Sequence, residues 1–395
     1  MRRMIFLMAL FYLIQLFGAN PGIFSLPLEL YLKETIGLTA SQLAWFGSVW
    51  IIPWTIKPLW GIISDSFPLF GYSTRSYFFI CYALSSAVLF WMGASGAPSQ
   101  NVILFGVLAV SFFISFSDVL TDKLMITEGK SEGNTGILQA AQWSAMSFGG
   151  AAMSYLAGWM AKHSTVGASF YLTAFAPLCG LVATALLISE KKVLKNKNSF
   201  SKCLRGLKQA LTSKEFLVTA VFIAALRLHV YPPVIYYQRD VLHFDKQFLG
   251  MLYAVSFIAE GVGALLFGFF IRKISRKFLL NSIIGLNVIS TISLIFMKSE
   301  LSAILIYIFV GFTGMIAMLG ILEIAARTCP VGIEATAYAL LMSVFNLFTR
   351  PGLIVGGILW ERGWSFSSLV LMGSALTAAC WLLVPLLNLT RDRRG

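Results

Sequence analysis

Charge is scarce in this sequence of 395 residues: Asp, Glu, Lys and Arg make up 12% of it, against 58% hydrophobic residues. Soluble domains carry about twice that charged fraction, so a soluble fold could not cover its surface with what is present. Histidine is scarcer still. His163, His229 and His243 are the only three, and none stands at metal-ligand spacing to another, so a histidine-held metal centre is not expected. The five cysteines, Cys81, Cys179, Cys203, Cys329 and Cys380, are widely scattered. That pattern argues against a disulfide framework and for small apolar packing residues. The apolar runs are continuous rather than alternating, which excludes barrel strands. No spacing calls for a cofactor, and no nucleophile, base and metal set converges, so an integral membrane enzyme is the weaker reading.

What is present is apolar sequence in lengths that suit a bilayer, whose core takes about 20 helical residues. Twelve runs are expected as helices: 4–31, 41–64, 76–95, 101–127, 134–161, 167–189, 215–238, 247–271, 278–297, 302–326, 333–360 and 365–388. The first resembles a leader peptide in its Met1-Arg2-Arg3 start, but it passes through Gly18-Ala19-Asn20-Pro21-Gly22 and resumes, so it is read as a spanning helix. Lys and Arg concentrate on one side. With a cytoplasmic N-terminus, the inner segments hold Arg2, Arg3, Arg75, Lys130, the basic 190–214 stretch, Arg272, Lys273, Arg276, Lys277, Arg327 and the C-terminal arginines. The outer loops hold only Lys33, Lys162, Arg239, Lys246, Lys298 and Arg362. The positive-inside rule then places both termini in the cytoplasm of a plasma (inner) membrane. The net charge of +13 marks a cytoplasmic leaflet, not a nucleic-acid partner. Within 190–214, Phe200, Leu204, Leu207 and Leu211 fall on one stripe, as in an amphipathic surface helix.

The runs divide into two halves of six, 1–189 and 215–395, joined by 190–214. Helix one breaks at Asn20-Pro21-Gly22 and helix seven at Pro232-Pro233, at similar depths, because proline removes a backbone donor. Asp122 near the end of helix four is matched by Glu323 near the end of helix ten. Paired halves with matched broken helices point to a secondary transporter whose site lies near the midplane. A charge at bilayer depth must face a cavity or a partner. Lys57 and Asp118 lie at similar depths and are expected to pair, either as a fixed staple or as a pair that substrate or a proton can break. Asp122 shares the face of Asp118, but Lys123 beside it could neutralise it. Arg227 and Glu260, both near midplane, could pair, and Glu260 is a second candidate proton carrier. Arg350 has no obvious acid in its half and suits a substrate carboxylate or phosphate, which a guanidinium holds with two parallel bonds. Trp54 and Trp143 lie on helices facing the expected cavity and could stack on a flat ring, and Gln139 lies on the helix of Trp143. His229 reads as a packed helix residue.

Several motifs carry a resemblance. Gly61-Ile62-Ile63-Ser64-Asp65, followed by Arg75 after the turn, is similar to the gating-loop motif of the major facilitator superfamily. The longer stretch Ile56-Lys57-Pro58-Leu59-Trp60-Gly61-Ile62-Ile63-Ser64-Asp65-Ser66-Phe67-Pro68 resembles the signature of the folate-biopterin transporter family. Ser117-Asp118-Val119-Leu120-Thr121-Asp122, the run from Gly136 to Trp143 through Gln139, and the run from Cys329 to Ser343 are similar to that family too, and keep its order. The resemblance implies an all-α membrane protein of major facilitator fold, twelve transmembrane helices in two pseudo-symmetric six-helix bundles. It further implies import of folates or pterins by alternating access, driven by protons. Some relatives are associated with S-adenosylmethionine, so a carrier for that cation is the alternative. The implied partners are a small-molecule substrate, protons and the lipid bilayer. The sequence departs from the family in having Arg75 as the one basic residue after Gly71-Tyr72, and in Lys123.

Overall fold

The computed structural model describes residues 2–18, 22–96, 98–132, 135–190, 192, 201, 208–209, 211–270, 275–329 and 334–389. Their regular structure is helical, apart from one bridge between Leu69 and Tyr72. The helices are α1 Arg2–Gly18, α2 Ser25–Leu30, α3 Ala40–Thr55, α4 Lys57–Ser66, α5 Arg75–Ala94, α6 Gln100–Glu132, α7 Thr135–His163 and α8 Val166–Leu187. They continue with α9 Lys214–Arg227, α10 Val234–Tyr236, α11 Lys246–Phe270, α12 Arg276–Ser293, α13 Glu300–Thr328, α14 Glu334–Glu361, α15 Phe366–Ala379 and α16 Val384–Leu389. Among the described residues, eight helices are long and apolar enough to cross a membrane, and Met4–Leu16 is a shorter apolar helix. The chain is therefore a multi-pass helical membrane protein. Twelve continuous spans are not reproduced: three of the expected runs come in pieces, α1 with α2, α3 with α4, and α9 with α10, and α7 is not among the eight. The expected amphipathic stretch of 200–211 and the break at Asn20-Pro21 fall mostly outside the described residues.

Packing divides the chain into two units, Met1–Gly37 with Val49–Ser201 and Lys246–Ala254, and Leu38–Ser48 with Lys202–Asp245 and Val255–Gly395. In the first, Phe11 of α1 stacks on Phe78 at 4.8 Å and on Tyr82 at 6.0 Å, and Trp60 stacks on Phe116 at 5.5 Å. In the second, Phe222, Ile223, Leu280, Ile284, Ile324 and Leu341 bring α9, α12, α13 and α14 onto one core. Lipid tails are as apolar as these side chains, so close fit rather than escape from water holds such cores together.

Two interruptions position the polar side chains. Between α3 and α4 the chain leaves helical geometry at Ile56, and Pro58 falls in the first turn of α4, where its missing N–H costs nothing. The carbonyls freed at the end of α3 are met locally: Thr55 Oγ1 donates to Ile52 O at 2.7 Å, and the Trp60 indole donates to Pro53 O at 3.0 Å. Between α9 and α10 the chain is unwound from Leu228 to Pro233. This stretch is seated by Gly352 and Gly356 of α14 and Gly373 of α15. A Cβ at these three positions would overlap the carbonyl oxygens of His229, Tyr231 and Val230 respectively. One bond adds to the fit, from Tyr231 N to Gly352 O at 3.2 Å. His229 thus belongs to an unwound segment, not to a helix as expected from sequence.

Candidate functional site

In the first unit, α4 begins with Lys57, an unfavourable charge at the positive end of a helix, and α6 supplies what offsets it. Lys57 Nζ lies 2.5 Å from Asp118 Oδ2. The lysine side chain keeps 24% of its exposure and the aspartate 8%, so the pair has one accessible and one buried end. The ammonium also lies 4.6 Å from the ring centroid of Trp54. That ring is fixed by its indole N–H, which donates to Ser111 Oγ at 3.0 Å, while Ser111 donates to Trp50 O at 2.6 Å.

One turn further along α6, Asp122 Oδ1 accepts a bond from Tyr12 OH at 2.8 Å, and Gln15 Nε2 donates to Thr121 Oγ1 at 2.9 Å. Lys123 does not serve Asp122 in the way its sequence position suggested. Its ammonium reaches Ser73 Oγ at 3.0 Å and Ser64 Oγ at 3.5 Å. Beside it, the expected gating loop is tied down. Leu69-Phe70-Gly71-Tyr72 is a tight turn with φ of 55° at Phe70 and 86° at Gly71, closed by Tyr72 N donating to Leu69 O at 2.9 Å. Glu190 then caps α5, accepting from Ser73 N and Oγ at 2.9 Å, Thr74 N at 3.1 Å and Arg75 N at 2.8 Å. Arg75 Nη2 donates to Ala185 O at 3.4 Å. Gly61 leaves Val119 Cγ1 room for ordinary contact. The side chains of Asp65 and Gln139 lie outside the described residues, and Trp143 is half-buried on α7.

In the second unit, Arg227 ends α9. Its Nε donates to Thr349 Oγ1 at 2.9 Å, and its guanidinium carbon lies 4.1 Å from the Phe345 ring centroid. Arg350 follows on α14. Its Nη1 makes one long contact to Gly47 O at 3.4 Å, and its Nε is buried with no hydrogen-bond partner among the described residues, as is the hydroxyl of Tyr231. Tyr231 packs against the ring of buried His229 at 3.9 Å, and His229 Nδ1 lies 2.9 Å from Leu226 O. The structure does not pair Arg227 with Glu260. Glu260 Oε1 is met by Ser256 Oγ at 3.5 Å, one turn earlier on its own helix, and Arg227 is taken up by Thr349 and Phe345. Equal depth along two helices did not imply that their faces meet.

The described residues therefore contain a balanced lysine–aspartate pair, an aspartate on a tyrosine, and two arginines with no carboxylate on them. No group of His, Cys, Asp and Glu among them could hold a metal ion. Sequence reasoning missed Tyr12, Glu190, Thr349 and Tyr231. Tyr12 carried a faint signal, being one of few hydroxyls on an apolar helix, whereas Glu190 looked like any linker charge.

The model of the BT1 family matches residues 18–386. The chain belongs to the BT1 family. A folate-biopterin transporter of Synechocystis is 30% identical over 361 residues, covering 86% of this chain and 71% of that protein. The probable folate-biopterin transporter 4 of Arabidopsis thaliana is 26% identical over 431 residues, covering 88% of each. This BT1 chain also has the fold of solved transporters. It aligns with nucleoside transporter NupG at a TM-score of 0.71 and 14% identity, covering 98% of both chains. With a D-xylose-proton symporter the TM-score is 0.71 at 14% identity, covering 97% of this chain and 98% of the other. The major facilitator architecture expected from the loop motif is the fold that these likenesses carry.

Proposed function

We propose that this BT1 protein is a secondary active transporter that imports folate- or pterin-type anionic heterocycles, driven by protons. Two six-helix bundles, 1–189 and 215–395, alternate in access across the plasma (inner) membrane. Both termini and the 190–214 linker lie in the cytoplasm. The names of the relatives support the cargo class, and the observation that carries the reading is the Arg350 guanidinium. A buried Nε with no partner is costly, and a carboxylate is the group that repairs it with paired bonds. Arg227 adds a second positive charge to the same unit. Trp54, whose face lies against Lys57, and Trp143 with Gln139 are the proposed contacts for the flat ring. Asp118, Asp122 and Glu260 are the acids available for coupling, and Gly61, Asp65 and Arg75 form the gating loop. No step of this work requires bond-breaking chemistry by the protein.

A second reading is favoured by one observation. Among the described residues Glu260 is met by a serine hydroxyl, which suits a counter-ion for a cationic sulfonium nucleoside such as S-adenosylmethionine. Vesicles containing the purified protein separate the two. Labelled folate and pterin accumulating faster as the outside is acidified, with S-adenosylmethionine left out, supports the first. Uptake of S-adenosylmethionine alone replaces it with the second.

A further inference from the structure

Two carboxylates stand one turn apart on α6, and they are treated differently. Asp118 has an ammonium at 2.5 Å. Asp122 has a neutral hydroxyl, Tyr12 OH at 2.8 Å, while Lys123 sends its amine to Ser73 and Ser64. The helices packed on α6 are α1, α4, α5 and α7. From them the described groups facing the pair are Tyr12 of α1, Lys57 of α4 and Tyr82 of α5, the last lying near Asp118. Arg75 and Tyr77 of α5 are spent on the carbonyls of Ala185 and Phe67. The titratable side chains described on α7, Tyr155, Lys162 and His163, lie in its last three turns.

Among the described groups, one ammonium, that of Lys57, thus faces the two acids at membrane depth. Charging both would leave a net negative site with like charges a turn apart, which low-dielectric surroundings penalise. The arrangement is balanced when Lys57 and Asp118 are ionised and Asp122 is neutral. We propose that Asp122, held by Tyr12, is the site that takes up and releases the coupling proton, and that Asp118 is a fixed charge. This deepens the proton-driven reading above and rests on it. The step is a bare proton transfer: the free oxygen Oδ2 takes the proton while Oδ1 keeps accepting from Tyr12. When the proton leaves, Asp122 becomes a second anion competing for Lys57. The ammonium is then drawn along α6 and away from the Trp54 ring, 4.6 Å distant in the balanced state. Proton occupancy is thereby linked to the face of a proposed substrate contact. Tyr12 is a positioning residue here: its donated bond holds Oδ1 and leaves Oδ2 open to the proton.

The test needs no cargo. Infrared difference spectra of the purified full-length protein in lipid, taken between acid and alkaline pH, report protonated carboxyl groups through their C=O stretch. The expected result is a titrating carboxyl band that Asp122→Asn removes and Asp118→Asn leaves. Tyr12→Phe should raise the frequency of that band, since the bond donated to the carboxyl oxygen Oδ1 is lost. A band at full amplitude in Asp122→Asn overturns the assignment, and so does an unshifted band in Tyr12→Phe. If Asp122→Asn does not fold, the tyrosine variant decides alone. Labelled folate in vesicles then separates the two levels. A wild type indifferent to a pH gradient, with the band assigned to Asp122, removes proton-driven import and leaves a proton site without that use. A gradient-driven wild type matched by an equally gradient-driven Asp122→Asn overturns the coupling role of Asp122 alone.

Discussion

Glu190 holds Ser73 twice, one carboxylate oxygen accepting both the amide and the hydroxyl of that residue at 2.9 Å. The other oxygen accepts the amides of Thr74 and Arg75. A residue 117 positions away in sequence thereby caps the helix that begins at Arg75, in place of a local side chain. Thr74, which precedes that helix, makes no side-chain cap bond of its own.

Glu190→Ala should therefore lower the stability of the purified protein by about 1–2 kcal/mol, the scale of a lost N-cap with charge-assisted bonds. Glu190→Gln should lose less, because an amide oxygen still accepts. Thermal unfolding in detergent followed by Cys81 reactivity reads this, since Cys81 is a buried residue of that same helix. Equal melting of all three proteins would show that the cap carries no weight.

Lys57→Met alone leaves a buried aspartate without its cation, and a broken buried pair costs about 3–5 kcal/mol. Adding Asp118→Asn removes the stranded charge as well. The double variant should recover most of the lost stability, measured as melting temperature. It should not recover transport, because Lys57 also lies over Trp54. Recovery of both would reduce Lys57 to a staple between α4 and α6.

Arg350→Lys should insert and fold normally, yet bind labelled folate about tenfold or more weakly. A point charge cannot reproduce the two-pronged contact with a carboxylate, and ten-fold corresponds to about 1.4 kcal/mol. Equilibrium binding to purified protein is the measurement. Unchanged affinity would take Arg350 out of the site and strengthen the cationic-cargo reading.

The parts legible in the sequence were those that depth alone decides. Counting back from the inner ends of two helices placed Lys57 near Asp118, and the two meet. The same counting put Arg227 beside Glu260, but depth carries no information on which way a helix face turns, and these side chains point to different neighbours. Tyr12 was hidden because a tyrosine on an apolar helix resembles any interfacial aromatic. Lys123 was misjudged because adjacency in sequence puts neighbours about 100° apart around a helix axis. Pro232-Pro233 announced a break, but the length of the unwound stretch depended on glycines more than a hundred positions later.

Those glycines have a consequence for how the protein would be dissected by mutation. Gly352, Gly356 and Gly373 contribute no side chain, yet they are where the backbone of His229, Val230 and Tyr231 comes to rest. A methyl group at any of them displaces that backbone bodily, and Arg227 at its head moves with it. A systematic alanine survey would thus record these positions as losses of cargo recognition indistinguishable in size from a deleted contact. The lesion would be a shifted mounting rather than a missing hand. Only a survey that pairs each alanine with a measure of where Arg227 sits would separate residues that touch the cargo from residues that merely hold Arg227, its proposed contact, in register.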